Sequence, residues 1–124
     1  MIIGTGIDLV EIVRFRKVVE RLKDRFLLRV FTPGEQQFCK QHRDPVPHFA
    51  ARFAAKEALF KALGTGWAKG VTWLDVEVQR ERQDAPKIVL HGEAQRLSTE
   101  LGTQRVHLSL THSDNWAIAM VILE

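Results

Sequence analysis

A chain of 124 residues with 45% hydrophobic and 27% charged residues has the composition of a soluble globular domain rather than a disordered segment. Its one cysteine, Cys39, excludes an internal disulfide and a cysteine-rich zinc site, and no apolar run approaches the ~20 residues of a membrane span. The net charge of +3 favours anionic partners without choosing among nucleic acid, phosphorylated cofactors and acidic proteins. The opening MIIGTGIDLVEI lacks a basic n-region and meets Asp8, so it is not expected to be a secretory signal. A lone cysteine fits a reducing cytoplasm.

Residues 2–9 (IIGTGIDL) read as a strand. Alternation puts Ile2, Gly4, Gly6 and Asp8 on one face, where the two glycines are expected to clear space beside the carboxylate. Residues 10–23 have helical periodicity through Ile12, Phe15, Val19 and Leu22. Arg14, Lys17 and Arg21 form a basic stripe on this helix with Val18 inside it, and Arg25 extends the stripe if the helix continues. Thr32-Pro33-Gly34-Glu35 opens a helix that ends near His42, with Thr32 as cap, Pro33 at the first position and Glu35 completing a capping box. After the Asp44-Pro45-Val46-Pro47 connector, a long helix runs from about Pro47 to Leu63 and stops at Gly64. Residues 72–80 and 87–91 read as paired strands, 92–101 as a short helix, and 105–112 with 116–123 as a final hairpin. There is no repeat, low-complexity tract or linker. The order β-ααα-ββ-α-ββ predicts one α+β domain over residues 1–124, with helices packed on a mainly antiparallel sheet.

The long helix carries the chemistry. At ~100° per residue, Phe49, Phe53, Leu59, Phe60 and Leu63 share an apolar arc, and Glu57 stands at its border. A carboxylate there is partly desolvated and needs a partner. Lys61, four residues on, supplies one in the plain structural reading of an i,i+4 ion pair. Two features point further. Asp8 is a second acid at the end of a glycine-cleared strand, and two carboxylates with water and phosphate oxygens suit Mg²⁺. Gly64-Thr65-Gly66 lets backbone approach a ligand, although no Walker sequence is present. Acids, lysines and glycines together suggest a metal-assisted site for a phosphorylated ligand.

Gly6-Ile7-Asp8-Leu9-Val10-Glu11, paired with the run from Arg52 through Lys56-Glu57 and Lys61 to Gly64-Thr65-Gly66, resembles the phosphopantetheinyl transferases. Length and near-terminal start match the small bacterial type, the holo-acyl-carrier-protein synthases. The resemblance continues through Val106-His107-Leu108-Ser109-Leu110-Thr111-His112 to the last strand. It implies transfer of 4′-phosphopantetheine from coenzyme A to a serine of apo acyl carrier protein in fatty acid biosynthesis, with release of adenosine 3′,5′-bisphosphate. It also implies Mg²⁺ on Asp8 and Glu57, while Glu11 matches an early acid that orients neighbours or begins the helix. Lys56, Lys61 and Arg52 become candidates for coenzyme A phosphates, Lys61 for the diphosphate above all. Gly64, Thr65 and Gly66 become nucleotide contacts, and the strand with Thr111 and His112 a wall of the coenzyme A cleft.

For the serine proton, Glu57 acting through a water of the metal stands first, His107 second and Asp8 third. His42, His48 and His91 lack spaced partners and receive no metal role. The stripe of Arg14, Lys17, Val18, Arg21 and Arg25 is by itself an ordinary solvated face; the resemblance makes it a docking surface for the acidic, helical carrier. A cytoplasmic homotrimer with sites between subunits is implied in the same way. Trp67, Trp73 and Trp116 are by default core residues. Gln83-Asp84-Ala85-Pro86-Lys87 departs from the Gly-Lys-Pro turn common in such proteins, away from the expected metal site. Two other readings stand beside this one. A transferase of the same family serving polyketide or peptide synthetase carriers shares every motif. A small basic RNA-binding domain accounts for the arginine stripe, but lacks aromatic RNA motifs and leaves the acid pair without a role, so nucleic acid is not expected as a partner.

Overall fold

The computed structural model describes residues 1–64, 70–80 and 83–124. Strand β1 (Gly4–Glu11) leads into helices α1 (Ile12–Leu22), α2 (Asp24–Val30), α3 (Pro33–Lys40) and α4 (Val46–Leu63). A 3₁₀ turn at Trp73–Asp75 precedes β2 (Val76–Gln79) and β3 (Lys87–Leu90), and α5 (Gly92–Glu100), β4 (Val106–His112) and β5 (Trp116–Leu123) complete the order. The predicted α+β class holds, with two corrections of detail. Four helices, not three, follow β1: Lys23 adopts φ 52°, which ends α1, and Asp24 starts α2 where an acid favours a helix N-terminus. Residues 73–75 turn instead of extending because Asp75 accepts from the backbone N–H and hydroxyl of Thr72.

Local signals elsewhere act as expected. The Thr32 hydroxyl accepts from Glu35 N at 3.2 Å while Glu35 Oε1 accepts from Thr32 N at 2.9 Å, the two halves of the capping box. Gly64 ends α4 in the left-handed conformation, φ 75°. The main sheet has the antiparallel order β1-β5-β4, with Asp8 opposite Ala119 and Leu110 opposite the same residue from the other side. β2 and β3 form a separate hairpin.

Helix α4 lies on β1 and β5. A Cβ on Gly6 would stand 1.8 Å from the carbonyl oxygen of Ala58, and one on Gly4 2.2 Å from that of Ala62. The glycines therefore do more than clear space near Asp8: the helix backbone occupies that space. Ala50, Ala51, Ala54, Ala55, Ala58 and Ala62 make up half of the buried residues of α4, and at each of these the helix wall is only one carbon deep. One apolar cluster joins the C-terminal half of α4 to β2, α5 and β5. A second joins its N-terminal half to α1, α2 and α3 through Phe15, Phe31 and Phe49.

At the N-terminal end of α4, three histidines meet from different elements. His42 and His48 stack with centroids 3.5 Å apart, and His112 meets His48 edge-on at 5.0 Å. Burial, then the neighbouring His42, His112 and Arg52, push the His48 pKa from 6.5 to about 4, against a weaker pull from Asp44. The folded state thus excludes a proton that the unfolded chain takes up. His48's contribution to stability is present above pH 6.5 and is lost as pH falls from there toward 4. Between pH 7 and 4.5 the unfolding midpoint should fall further for the unaltered protein than for His48→Gln. Equal falls would exclude His48 as a source of the acid sensitivity.

Candidate active site

α4 presents two polar rows to different sides. Each is a pair one turn apart: Arg52 with Lys56, and Glu57 with Lys61. The second row meets β1. Because the helix rests on Gly4 and Gly6, the next residue on that strand face, Asp8, comes to its flank. Lys61 Nζ donates to the Ile7 carbonyl at 2.9 Å and to Asp8 Oδ1 at 3.1 Å. Lys61 thus bridges helix to strand in place of the i,i+4 pair with Glu57. Its side chain remains 54% exposed and that of Asp8 17%, so the group is reachable from solvent. Burial raises the pKa of Glu57, the Asp8 charge raises it further, and Lys61 opposes both.

Two partly desolvated carboxylates therefore lie near one ammonium that pairs with Asp8 alone, which leaves an uncompensated negative charge. A hard divalent cation suits that deficit and those oxygen donors. Among the described residues no group of three or more His, Cys, Asp and Glu could hold a metal. Two carboxylates would leave positions open for phosphate and solvent oxygens, a donor set of the kind Mg²⁺ takes. Glu11 closes β1 and stands at the N-cap of α1 without a side-chain capping bond.

The first row of α4 corrects two expectations. Lys56 is 0% exposed. It pairs with Glu35 Oε1 at 2.8 Å, donates to the Trp73 carbonyl at 3.1 Å and also to the Val76 carbonyl. Burial lowers its pKa and Glu35 raises it. A lysine so enclosed in this chain does not reach a ligand phosphate. Arg52 is 2% exposed, its guanidinium 4.0 Å from the Phe38 ring centroid, with Nη1 donating to the His48 carbonyl at 3.4 Å. It shares a side with Lys56, as expected, but that side faces α3 and lies away from Asp8. Burial lowers its pKa, and Nε has no hydrogen-bond partner among the described residues.

On β4, His107, Ser109 and Thr111 face outward while Val106, Leu108 and Leu110 face the helices. His107 lies opposite Ile122, which pairs with Thr5, and its Nε2 is 3.1 Å from Glu124 Oε1. It stands three residues along the sheet from Asp8, two strands away, on the other face. Within one chain it is therefore not a base for the Asp8–Glu57 group. His112, by contrast, turns to the helix side against His48. Gly64 leaves open space, with nothing within 4 Å of a would-be Cβ. Thr65, Gly66 and Trp67 lie outside the described residues. Trp73 stacks on Phe53 at 4.9 Å and packs against the core, whereas Trp116 is exposed.

Arg14, Lys17, Arg21 and Arg25 are exposed and Val18 is half-buried, with Arg25 on α2 instead of α1. Exposed Val13, Leu28 and Arg29 enlarge this surface. Leu28 and Arg29 join it through α2, a helix that no local signal at Lys23 announces. The outer sheet face also holds a cavity of about 190 Å³, lined by Ile7, Ser109, Thr111, Ile118 and Met120 among others, which no sequence motif marks. Its signal was the apolar outward set of β1 and β5.

The profile of the 4′-phosphopantetheinyl transferase superfamily matches residues 4–121. A protein named Holo-[acyl-carrier-protein] synthase from Koribacter versatilis (strain Ellin345) is 51% identical over 124 residues, covering 100% of this chain and 99% of its own. The crystal structure of holo-[acyl-carrier-protein] synthase from Neisseria meningitidis superposes with a TM-score of 0.90 at 31% identity, covering 100% of this chain and 99% of that one. The Helicobacter pylori holo-[acyl-carrier-protein] synthase, solved in complex with coenzyme A, superposes with a TM-score of 0.84 at 35% identity, covering 97% and 99%. With its end-to-end match and its acid pair beside a bridging lysine, the chain belongs to the 4′-phosphopantetheinyl transferase superfamily.

Proposed function

We propose that this chain, acting as one domain, transfers 4′-phosphopantetheine from coenzyme A to a serine of apo acyl carrier protein in fatty acid biosynthesis, in the cytoplasm. The observation that carries this reading is the Asp8–Glu57–Lys61 group, in a chain matched along its whole length by proteins named for that activity. The serine oxygen forms a bond to the phosphorus that bears pantetheine. The diphosphate bridge breaks, and adenosine 3′,5′-bisphosphate leaves. A phosphate leaving group needs its charge neutralised more than it needs a proton. Asp8 and Glu57 would hold a Mg²⁺ ion, which when bound would supply Lewis-acid charge neutralisation.

The remaining work falls to the chain's own groups. Lys61, poised on Asp8 Oδ1 and the Ile7 carbonyl, turns its exposed ammonium to the diphosphate. Glu57, half-buried beside Asp8, receives the serine proton through solvent. The open backbone at Gly64 gives the ligand close approach beside it. The exposed stripe of Arg14, Lys17, Arg21 and Arg25, with Val18 and Leu28, docks the acidic carrier and speeds its encounter.

The outer face of the main sheet supports a homotrimer. Ile7 and Leu9 are each 56% exposed there, flanked by Trp116 and Met120. Such an apolar sheet face is suited to burial against copies of the same chain. That contact would bring Thr111, which lines the outer face, toward the coenzyme A held by a neighbouring copy.

Intact mass of apo acyl carrier protein, after incubation with this protein, coenzyme A and Mg²⁺, should rise by one phosphopantetheine, and EDTA should abolish the gain. Glu57→Gln should slow the modification by about 100-fold or more with the fold unchanged. Turnover by Glu57→Gln at the unaltered rate would remove Glu57 from the mechanism. Reversing Arg14 and Arg21 to Glu should raise the KM for the carrier at least tenfold and leave that for coenzyme A within twofold. Equal losses for both substrates would exclude the docking role.

A further inference from the structure

We infer that the buried pair Lys56–Glu35 is a positioning device that sets how α4 lies on β1, and so where Glu57 stands relative to Asp8. The inference rests on the reading of Asp8 and Glu57 as a divalent-cation site. It starts from the smoothness of the contact between helix and strand. Glycine on β1 faces a wall of alanines on α4, with the Ala58 and Ala62 carbonyls seated over Gly6 and Gly4. Interlocking side chains normally fix where one element lies along another. Here few are available on the β1 side. On this face, therefore, side-chain interlock contributes little to resisting small rotations and shifts, and the large apolar residues of α4, Phe49, Leu59, Phe60 and Leu63, act through the two core clusters instead.

Directional polar bonds supply what the packing lacks. On the β1 side, Lys61 bridges to Ile7 and Asp8, but it is more than half exposed and belongs to the site itself. On the other side, Lys56 Nζ has three partners: Glu35 Oε1 and the carbonyls of Trp73 and Val76. An ammonium has three donors, so all are committed. Glu35 is equally engaged. Its Oε1 also accepts from Thr32 N at 2.9 Å, and its Oε2 accepts from Val78 N at 2.8 Å. One point thus ties α4 to the start of α3, to the 3₁₀ turn and to β2. Stretching such bonds in a dry interior is costly, and no water is at hand to replace them. Glu57 is the next residue, ~100° around the same helix, so any rotation of Lys56 carries Glu57 with it.

A purely stabilising role predicts something different. A buried ion pair is a poor source of net stability, and neutral substitutes of similar shape often cost little. The two roles therefore separate in Lys56→Met/Glu35→Gln, which removes both charges, keeps the length at position 35 and shortens that at position 56 by one atom. The probe is Mn²⁺ alone, its binding followed by the free-ion electron paramagnetic resonance signal. Unfolding is measured alongside, and turnover is taken well below the unfolding midpoint. Positioning by a residue behind the ligands predicts a loss of at least tenfold in Mn²⁺ affinity. It also predicts a similar fall in kcat with the KM for coenzyme A within twofold. Leu97→Ala, a core deletion on α5, should bind Mn²⁺ like the unaltered protein even where it is equally destabilised.

Mn²⁺ binding that requires Glu57 but is unchanged within twofold in the folded double variant overturns the inference alone. Mn²⁺ binding that is indifferent to Glu57→Gln removes the metal reading and this inference with it. If the double variant does not fold, Glu35→Gln alone gives the deciding measurement: a threefold or greater loss of affinity supports positioning, and an unchanged affinity overturns it.

Discussion

The contact of α4 with bare backbone at Gly4 and Gly6 is the constraint on which the rest depends. Any side chain at these positions would meet a helix carbonyl at well under van der Waals distance. Their absence lets an alanine-walled helix settle onto β1 more closely than a side-chain layer allows. That closeness places the next residue of the strand face, Asp8, at the flank of the helix beside Glu57 and Lys61. The chemistry is thus a consequence of packing. Two acids and a lysine, 49 and 53 residues apart from Asp8 in sequence, become one electrostatic unit because nothing separates the backbones that carry them.

The same helix divides its charges by dielectric. Toward α3 and β2, Arg52 and Lys56 are buried, and burial works against their charge. Toward β1, Lys61 remains in solvent contact while Glu57 is half-buried and holds its proton more strongly than usual. The buried row is bound to the protein and the open row is available to a phosphorylated ligand. A residue of one row adjoins a residue of the other in sequence, which couples the internal anchor to the external site.

Much of this was legible in the residues. The capping box, the glycine stop at Gly64 and the alternation of β1 are local signals, and each produced the local structure it names. Family resemblance groups Asp8, Glu57 and Lys61, and the fold sets Lys61 on Asp8 with Glu57 nearby. The illegible parts are those set by distant partners. Arg52–Lys56 and Glu57–Lys61 have identical i,i+4 spacing, so spacing alone does not reveal which row is enclosed. Glu35, the partner of Lys56, was already assigned to a helix cap; that it also reaches Lys56 and β2 is a tertiary fact. The positive φ at Lys23 that divides α1 from α2 has no glycine to announce it. The meeting of His42, His48 and His112 joins two helices' surroundings to a strand end, so no single segment displays it.

A single methyl group at Gly6 tests the central claim most directly. Chemical denaturation and phosphopantetheine transfer by Gly6→Ala, measured beside the unaltered protein, report on packing and chemistry together. The account predicts a stability loss of about 3 kcal/mol or more, because backbone must move to admit the carbon. It also predicts that transfer by the protein that remains folded falls at least tenfold, as Glu57 is displaced from Asp8. A Gly6→Ala protein with unaltered stability and unaltered transfer would contradict the account at its base.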